Sequence, residues 1–337
     1  MRRQLPVKSH LPFRGGIQRS SMSPAHPPTR LTQVAAAARK ALGALLPVGA
    51  LAMVAYLLVN HGSQLLAALV AVPPVVLVGA VCAHVLTLAL RTEAWRTVLG
   101  ASSVRPLSRR AVHAANAGAF LAGTVQGQAA MPTRIVLLRR FCGDDAPAVA
   151  KIALGDAPIV LSEICAGAVL GAIGSTAVGL IPAWAPWVVL GGALAVLVAL
   201  RVLYGRFRHL EIAAGLGVLA DSGARNRLVA IVAGFTAMAF LRTMIVMAGF
   251  GLPTDPAHVC LVLVMMGTVG LLPLGVGTGP AAMVAALGTS NLVTAAAAGT
   301  VVSAATIIAV LLYAGAVWVW RRLTSRLPVP VPEITPV

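Results

Sequence analysis

Residues 120–140 read FLAGTVQGQAAMPTRIVLLRR, an apolar run broken at its centre by Gln126, Gly127 and Gln128, restarted by Pro132, with Arg134 two residues further on. Backbone that leaves helical geometry at membrane depth is tolerated only where protein or a watery cavity satisfies its polar groups. A second stretch, LLPLGVGTGPAAMVAAL at residues 271–287, has a similar pattern, and Gly127 precedes Pro132 by the same five residues that separate Gly275 from Pro280. Paired interruptions at corresponding positions of two halves point to a transporter's midplane binding site. The remaining chain reads as scaffold for these two breaks.

Around the breaks the composition is that of a bilayer protein. Of 337 residues 58% are hydrophobic and only 10% charged, with a mean hydropathy of +0.90, well outside the range of soluble domains. The formal net charge of +17 lies at the ends of apolar spans rather than in one patch interleaved with aromatics, which argues for membrane topology and against nucleic acid as a partner. Cys82, Cys142, Cys165 and Cys260 are far apart and three of them lie in apolar runs. They indicate neither a disulfide framework nor a zinc site, and a packing role is expected. No Walker A loop, H-E-x-x-H, G-x-S-x-G or CxxC pair occurs, and the glycines of GVGTG follow no strand. No enzyme activity, cofactor or metal is therefore expected.

Residues 1–40 hold Pro, Ser, Arg and Lys without a single acid and predict a disordered basic arm, with Met22 as an alternative start. One transmembrane domain is expected over residues 41–322, followed by a short tail over 323–337. Hydropathy predicts spans near 41–60, 74–90, 152–173, 185–204, 228–250 and 293–319, and a surface-lying helix over 205–227. Residues 111–141 enter from the basic side and return to Arg139 and Arg140, so they predict a re-entrant pair, and residues 257–289 predict a second that opens to the other side. Basic loops alternate with uncharged ones, placing both termini in the cytoplasm and the protein in the inner membrane. The fold class expected is an all-α polytopic membrane protein of about six transmembrane helices plus two re-entrant pairs in an inverted repeat.

Each proline belongs in the first turn of an outgoing half-helix, where its missing N–H costs nothing. Such a half-helix points free N–H groups and a positive dipole end toward the bilayer centre, an arrangement suited to an anion. Arg134 is the candidate for a bidentate phosphate contact, with Gln126, Gly127, Gln128, Thr133 and Asn116 beside it and Gly275, Gly277 and Thr278 at the second break. The blander reading makes Arg134 a helix anchor that snorkels to the interface. Asp156 and Glu163 are seven residues apart on one predicted helical face. They either pair with Lys151, Arg134 or Arg242 or carry protons, since intramembrane acids are expensive and usually functional. Arg242 is the natural counter-charge, and His113 shares a helix face with Asn116.

The runs LRTEAWRTVLG at 90–100, QGQAAMPTRIVLLRRFCG at 126–143 and PLGVGTGPAAM at 273–283 resemble the lysylphosphatidylglycerol synthase transmembrane-region family, over roughly residues 40–322. Gly127 and Arg134 match the glycine and arginine of that family's first break. Gln126, Ala130 and Met131 stand where the family has a proline, a second glycine and an acid, and Ala281 and Ala282 stand where its second break has an acid. The resemblance implies a flippase-like domain that moves a polar-headed lipid between leaflets. With the chain ending at Val337, the soluble synthase domain of the fused enzymes is expected to be missing. Membrane lipids are the expected partners, together with a separately encoded lipid-modifying transferase. A membrane subunit assisting a lipid or polyprenyl-phosphate glycosyltransferase, and a small-anion transporter, are the alternatives.

Overall fold

The computed structural model describes residues 59–102, 107–207, 216–270, 278–288 and 291–324. Every regular element among them is helical. Helix α1 covers 59–70 of the described residues. It is followed by α2 (Pro74–Ser102), α3 (Arg109–Val125), α4 (Ala130–Cys142), α5 (Val149–Leu154), α6 (Ala157–Ala177) and α7 (Ala185–Phe207). After these come α8 (Ser222–Gly249), α9 (Pro256–Gly270), α10 (Thr278–Leu287) and α11 (Leu292–Thr324). Four helices stop at a glycine with positive φ, namely Gly143, Gly179, Gly251 and Gly288, where a side chain would be strained. Asp221 starts α8 by accepting the N–H of Gly223 at 2.8 Å, a helix cap of the ordinary kind.

Five stretches are long and apolar enough to cross a membrane: α2, α5 with α6, α7, α8 and α11. The chain is thus a multi-pass, all-helical membrane protein by length and composition. The span expected at 41–60 lies outside the described residues except for 59 and 60, and so do Gly275 and Gly277 of the second break. One expectation is corrected. Helix α2 does not stop at Leu90 but continues through Arg91, Glu93 and Arg96 to Ser102, because Arg91 meets Glu163 of α6, Glu93 meets Arg109 of α3, and Arg96 meets Glu93 within α2 itself. The surface helix expected over 205–227 lies partly outside the described residues: α7 runs to Phe207, a short 3-10 turn covers 216–219, and the capped α8 begins at Ser222.

Helices α3, α4, α9 and α10 have 17, 13, 15 and 10 residues. At about 1.5 Å per residue each falls short of the roughly 30 Å hydrocarbon layer. They lie where the sequence placed its two interrupted pairs, and α3 packs on α4 as α9 packs on α10.

Small residues set how closely the helices approach. Val76 meets Gly249, Ile245 meets Gly79 and Leu90 meets Gly234, so α2 and α8 run antiparallel along most of their lengths. At the crossing of α10 and α11 two glycines touch backbone to backbone: a Cβ on Gly299 would lie 2.4 Å from Gly279 C and O. Glycine contacts of this kind let helix backbones approach without side chains between them. In contrast, a Cβ on Gly315 of the same helix meets nothing within 4 Å. Gly315→Ala is therefore expected to raise unfolding stability in detergent by up to about 1 kcal/mol. Gly299→Ala is expected to lower it by about 1–3 kcal/mol. Equal effects would contradict the close crossing.

Candidate functional site

Residues beside both chain breaks line one cavity of about 450 Å³, within the range of small-ligand sites. Gly123, Thr124 and Ala130 flank the first break in its wall, and Thr278 and Gly279 are the described residues that follow the second. Helices α2 and α11 supply most of the remainder, and α8 supplies Arg242. Ala130 and Thr278 are the first residues of α4 and α10, and Pro132 and Pro280 are each the third. The two prolines thus correspond in the described helices, and Gly275 lies outside the described residues. At α4 a single 3-10 turn, Gly127–Ala129, precedes the helix and its Gly127 carbonyl accepts the N–H of Ala130. The remaining first-turn N–H groups give the start of α4 its positive end.

Arg242 dominates the electrostatics of the cavity. It is 9% exposed, and its Nη1 lies 2.7 Å from His84 Nδ1 and 3.3 Å from Thr306 Oγ1. A guanidinium only donates, so His84 Nδ1 accepts, and the imidazole is neutral with its hydrogen on Nε2. Both partners are neutral, Nε of Arg242 has no hydrogen-bond partner, and no described carboxylate reaches it as an ion pair. A buried ion without a counter-charge costs several kcal/mol. Arg91, also in the wall, is balanced by Glu163, with Nη2 and Oε2 3.1 Å apart. The cavity thus carries the charge of one guanidinium, ringed by the His84 imidazole and the hydroxyls of Thr124, Thr278, Ser303 and Thr306. An anion completes such a set of groups.

Most residues singled out from sequence fall elsewhere. Arg134 is 5% exposed and not part of the wall. Its Nη1 lies 3.1 Å from Asp156 Oδ1, and its guanidinium carbon sits 4.7 Å from the centre of the Trp95 ring. Of the three partners considered for Asp156, the fold thus brings up Arg134, and it places Asp156 at the turn before α6 with Glu163 inside that helix. Gln126, Gly127 and Gln128 are exposed in the turn between α3 and α4, and Thr133 is half-buried against Gly118. Asn116 is 1% exposed with neither amide atom paired. It precedes the wall residues Ala119, Phe120 and Gly123 by three, four and seven positions, which puts it on the same face of α3. Thr278 is in the wall, whereas His113 belongs to a separate network with Glu93 and Tyr313.

Sequence reasoning missed His84, Arg91 and Thr306. A signal for the first two was present, because His84, Leu88 and Arg91 follow each other at four and three residues on α2, the spacing of a single helical face. Comparison with known proteins adds no name to this geometry: no family model matches the chain, and no curated protein or solved structure matches it either.

The Arg134–Asp156 contact yields a test of its own. Asp156→Ala strands a buried guanidinium and is expected to lower unfolding stability in detergent by about 3 kcal/mol or more. Replacing both partners by leucine is expected to recover most of that loss. An unchanged melting temperature in Asp156→Ala would show that the pair does not hold α4 to the start of α6.

Proposed function

We propose that this protein is a flippase-like transporter that carries a polar-headed, anionic or aminoacylated phospholipid or lipid-linked precursor between leaflets of the inner membrane. The observation that carries the reading is Arg242, a buried guanidinium without a counter-ion among the described residues, facing a cavity lined by residues beside both chain breaks. A lipid phosphate supplies the missing charge. It accepts hydrogen bonds from the guanidinium and the surrounding hydroxyls, and at about 450 Å³ the cavity suits a headgroup rather than a whole diacyl lipid. The acyl chains remain in the bilayer. Of the residues first considered, Thr278 and Asn116 keep a place at this site, and Arg242 takes the phosphate-binding role considered for Arg134.

The architecture proposed with this function has a further span before residue 59, re-entrant pairs α3–α4 and α9–α10, and two halves of inverted topology with both termini in the cytoplasm. Three contacts support it. The long helices that precede the two short pairs, α2 and α8, pack antiparallel on one another. Helix α6 packs on α9 of the other half, as α11 packs on α3. Each short pair restarts with proline at the third helical position. Transport then consists of one half rocking against the other around the cavity. Resemblance to the lysylphosphatidylglycerol synthase transmembrane region agrees with this reading.

Arg242→Gln separates function from folding. Removing an uncompensated buried charge is expected to leave stability unchanged or raise it. Losing a charged hydrogen-bond donor to phosphate is expected to weaken phosphatidylglycerol binding by about 10–100-fold and to abolish its flipping in proteoliposomes. Arg134→Lys is expected to flip normally. Wild-type binding and flipping by Arg242→Gln would refute the headgroup site.

A further inference from the structure

Beside the cavity, α2, α3 and α11 share a buried polar chain. Glu93 Oε1 lies 2.9 Å from His113 Nε2, His113 Nδ1 lies 2.8 Å from Tyr313 Oη, Tyr313 Oη lies 2.9 Å from Thr92 Oγ1, and Thr92 Oγ1 lies 2.9 Å from Leu88 O. Each of these four contacts requires one hydrogen. Thr92, Tyr313 and a neutral imidazole bring only three. Following the donors fixes the shortage: Leu88 O only accepts, so Thr92 donates to it, Tyr313 donates to Thr92, and His113 Nδ1–H donates to Tyr313. The Nε2–Glu93 contact then has a hydrogen only if one more proton is bound, on the imidazole or on the carboxylate.

We propose that Glu93, His113, Tyr313 and Thr92 form a binding site for one exchangeable proton, whose occupancy is coupled to the anion cavity. The coupling half of the proposal rests on the transport reading above, whereas the proton site does not. One end of the chain is Glu93, which also meets Arg96 of its own helix, Arg109 of α3 and, at 4.0 Å, Arg227 of α8. The side chains of Arg109 and Arg227 are 62% and 57% exposed, so this end lies close to the surface. The other end is Leu88, a residue of the cavity wall next to Arg91. Phe120, also of the wall, lies with its ring tilted against that of Tyr313, centroids 6.0 Å apart.

The charges around His113 set the balance. The Glu93 carboxylate favours an imidazolium, whereas burial, Arg96, Arg109 and Arg227 oppose it, and α11 contributes the neutral Tyr313 and the edge of Trp320 at 5.8 Å. From α4, Arg134 is occupied by Asp156. Burial is the largest of these influences and holds the His113 imidazole below its ordinary range. No covalent step is involved. The proton enters and leaves at the Glu93 side, and the hydroxyls of Tyr313 and Thr92 keep their hydrogens. A cation gained beside an anion site raises anion affinity, and by linkage a bound anion raises proton affinity by the same factor.

The hydrogen count makes a specific test. Thr92→Val and Tyr313→Phe each remove two contacts and one hydrogen, after which a neutral imidazole fills every remaining contact. Thr92→Ser keeps the count. In full-length protein carrying ¹⁵N-histidine in lipid nanodiscs, with His113 assigned by its loss in His113→Gln, both ring nitrogens are expected to be protonated at low pH in the wild type and in Thr92→Ser. In Thr92→Val and Tyr313→Phe the midpoint is expected to fall by about one pH unit or more, a tenfold or greater loss of proton affinity. A wild-type His113 that stays neutral down to pH 5, or an unshifted midpoint in Thr92→Val, would overturn the proton site. The coupling is read separately: phosphatidylglycerol flipping is expected to shift its pH profile with the same variants, and a profile that ignores them overturns coupling alone. If wild-type protein flips no lipid, the transport reading falls while the spectroscopic result still decides the proton site.

Discussion

A buried positive charge with no negative partner among the described residues is the constraint from which the rest of this structure is best understood. Arg242 sits 9% exposed between His84 and Thr306, both neutral, whereas the other buried charges among the described residues are matched. Arg134 has Asp156, Arg91 has Glu163, and Glu93 has three arginines. An isolated ion in a poorly solvated interior is expensive, and several kcal/mol is a large share of a protein's stability. A site of this kind persists where something other than folding selects it. The cavity beside it, walled in part by the first residues of the short helices α4 and α10, gives the charge room for a ligand.

Bringing both helix starts to one cavity depends on close backbone approach. Gly279 lies against Gly299, Gly249 against Val76, and Gly171 and Gly174 of α6 against Val264 and Ala257 of α9. Within lipid there is little hydrophobic drive between helices, so association rests on contacts of this closeness and on interhelical polar pairs. The same pairs carry α2 past the point where its arginines would otherwise end it. Arg91 and Glu93 each reach an element far away in sequence, and the helix continues to Ser102. Helix α7 shows the opposite case. It packs chiefly on α6, none of its apolar window is buried, and its outward valines and leucines and Trp187 suit contact with lipid.

The features legible in sequence were those with local causes. Glycine and proline act on the backbone of their own turn, so the restart of α4 and α10 with proline at the third position was readable from spacing alone. Apolar length likewise revealed the long helices. What escaped was long-range pairing. Arg91 looked like a topological marker because nothing near it in sequence announces Glu163, 72 residues away, and His84 lies 158 residues from Arg242. Arg134 carried the sharpest sequence argument, through its place beside the first break. Yet its guanidinium turns toward Trp95 and Asp156 rather than toward the cavity, a choice made by the packing of α4 on neighbours that spacing does not reveal.

The most direct measurement is an experimental structure of the protein in nanodiscs rich in phosphatidylglycerol. A headgroup phosphate within about 3 Å of the Arg242 guanidinium, a charge-assisted hydrogen bond, with the starts of α4 and α10 beside it, is the expected result. A cavity that holds no phosphate, with Arg242 paired instead to a carboxylate of the chain, would contradict the account.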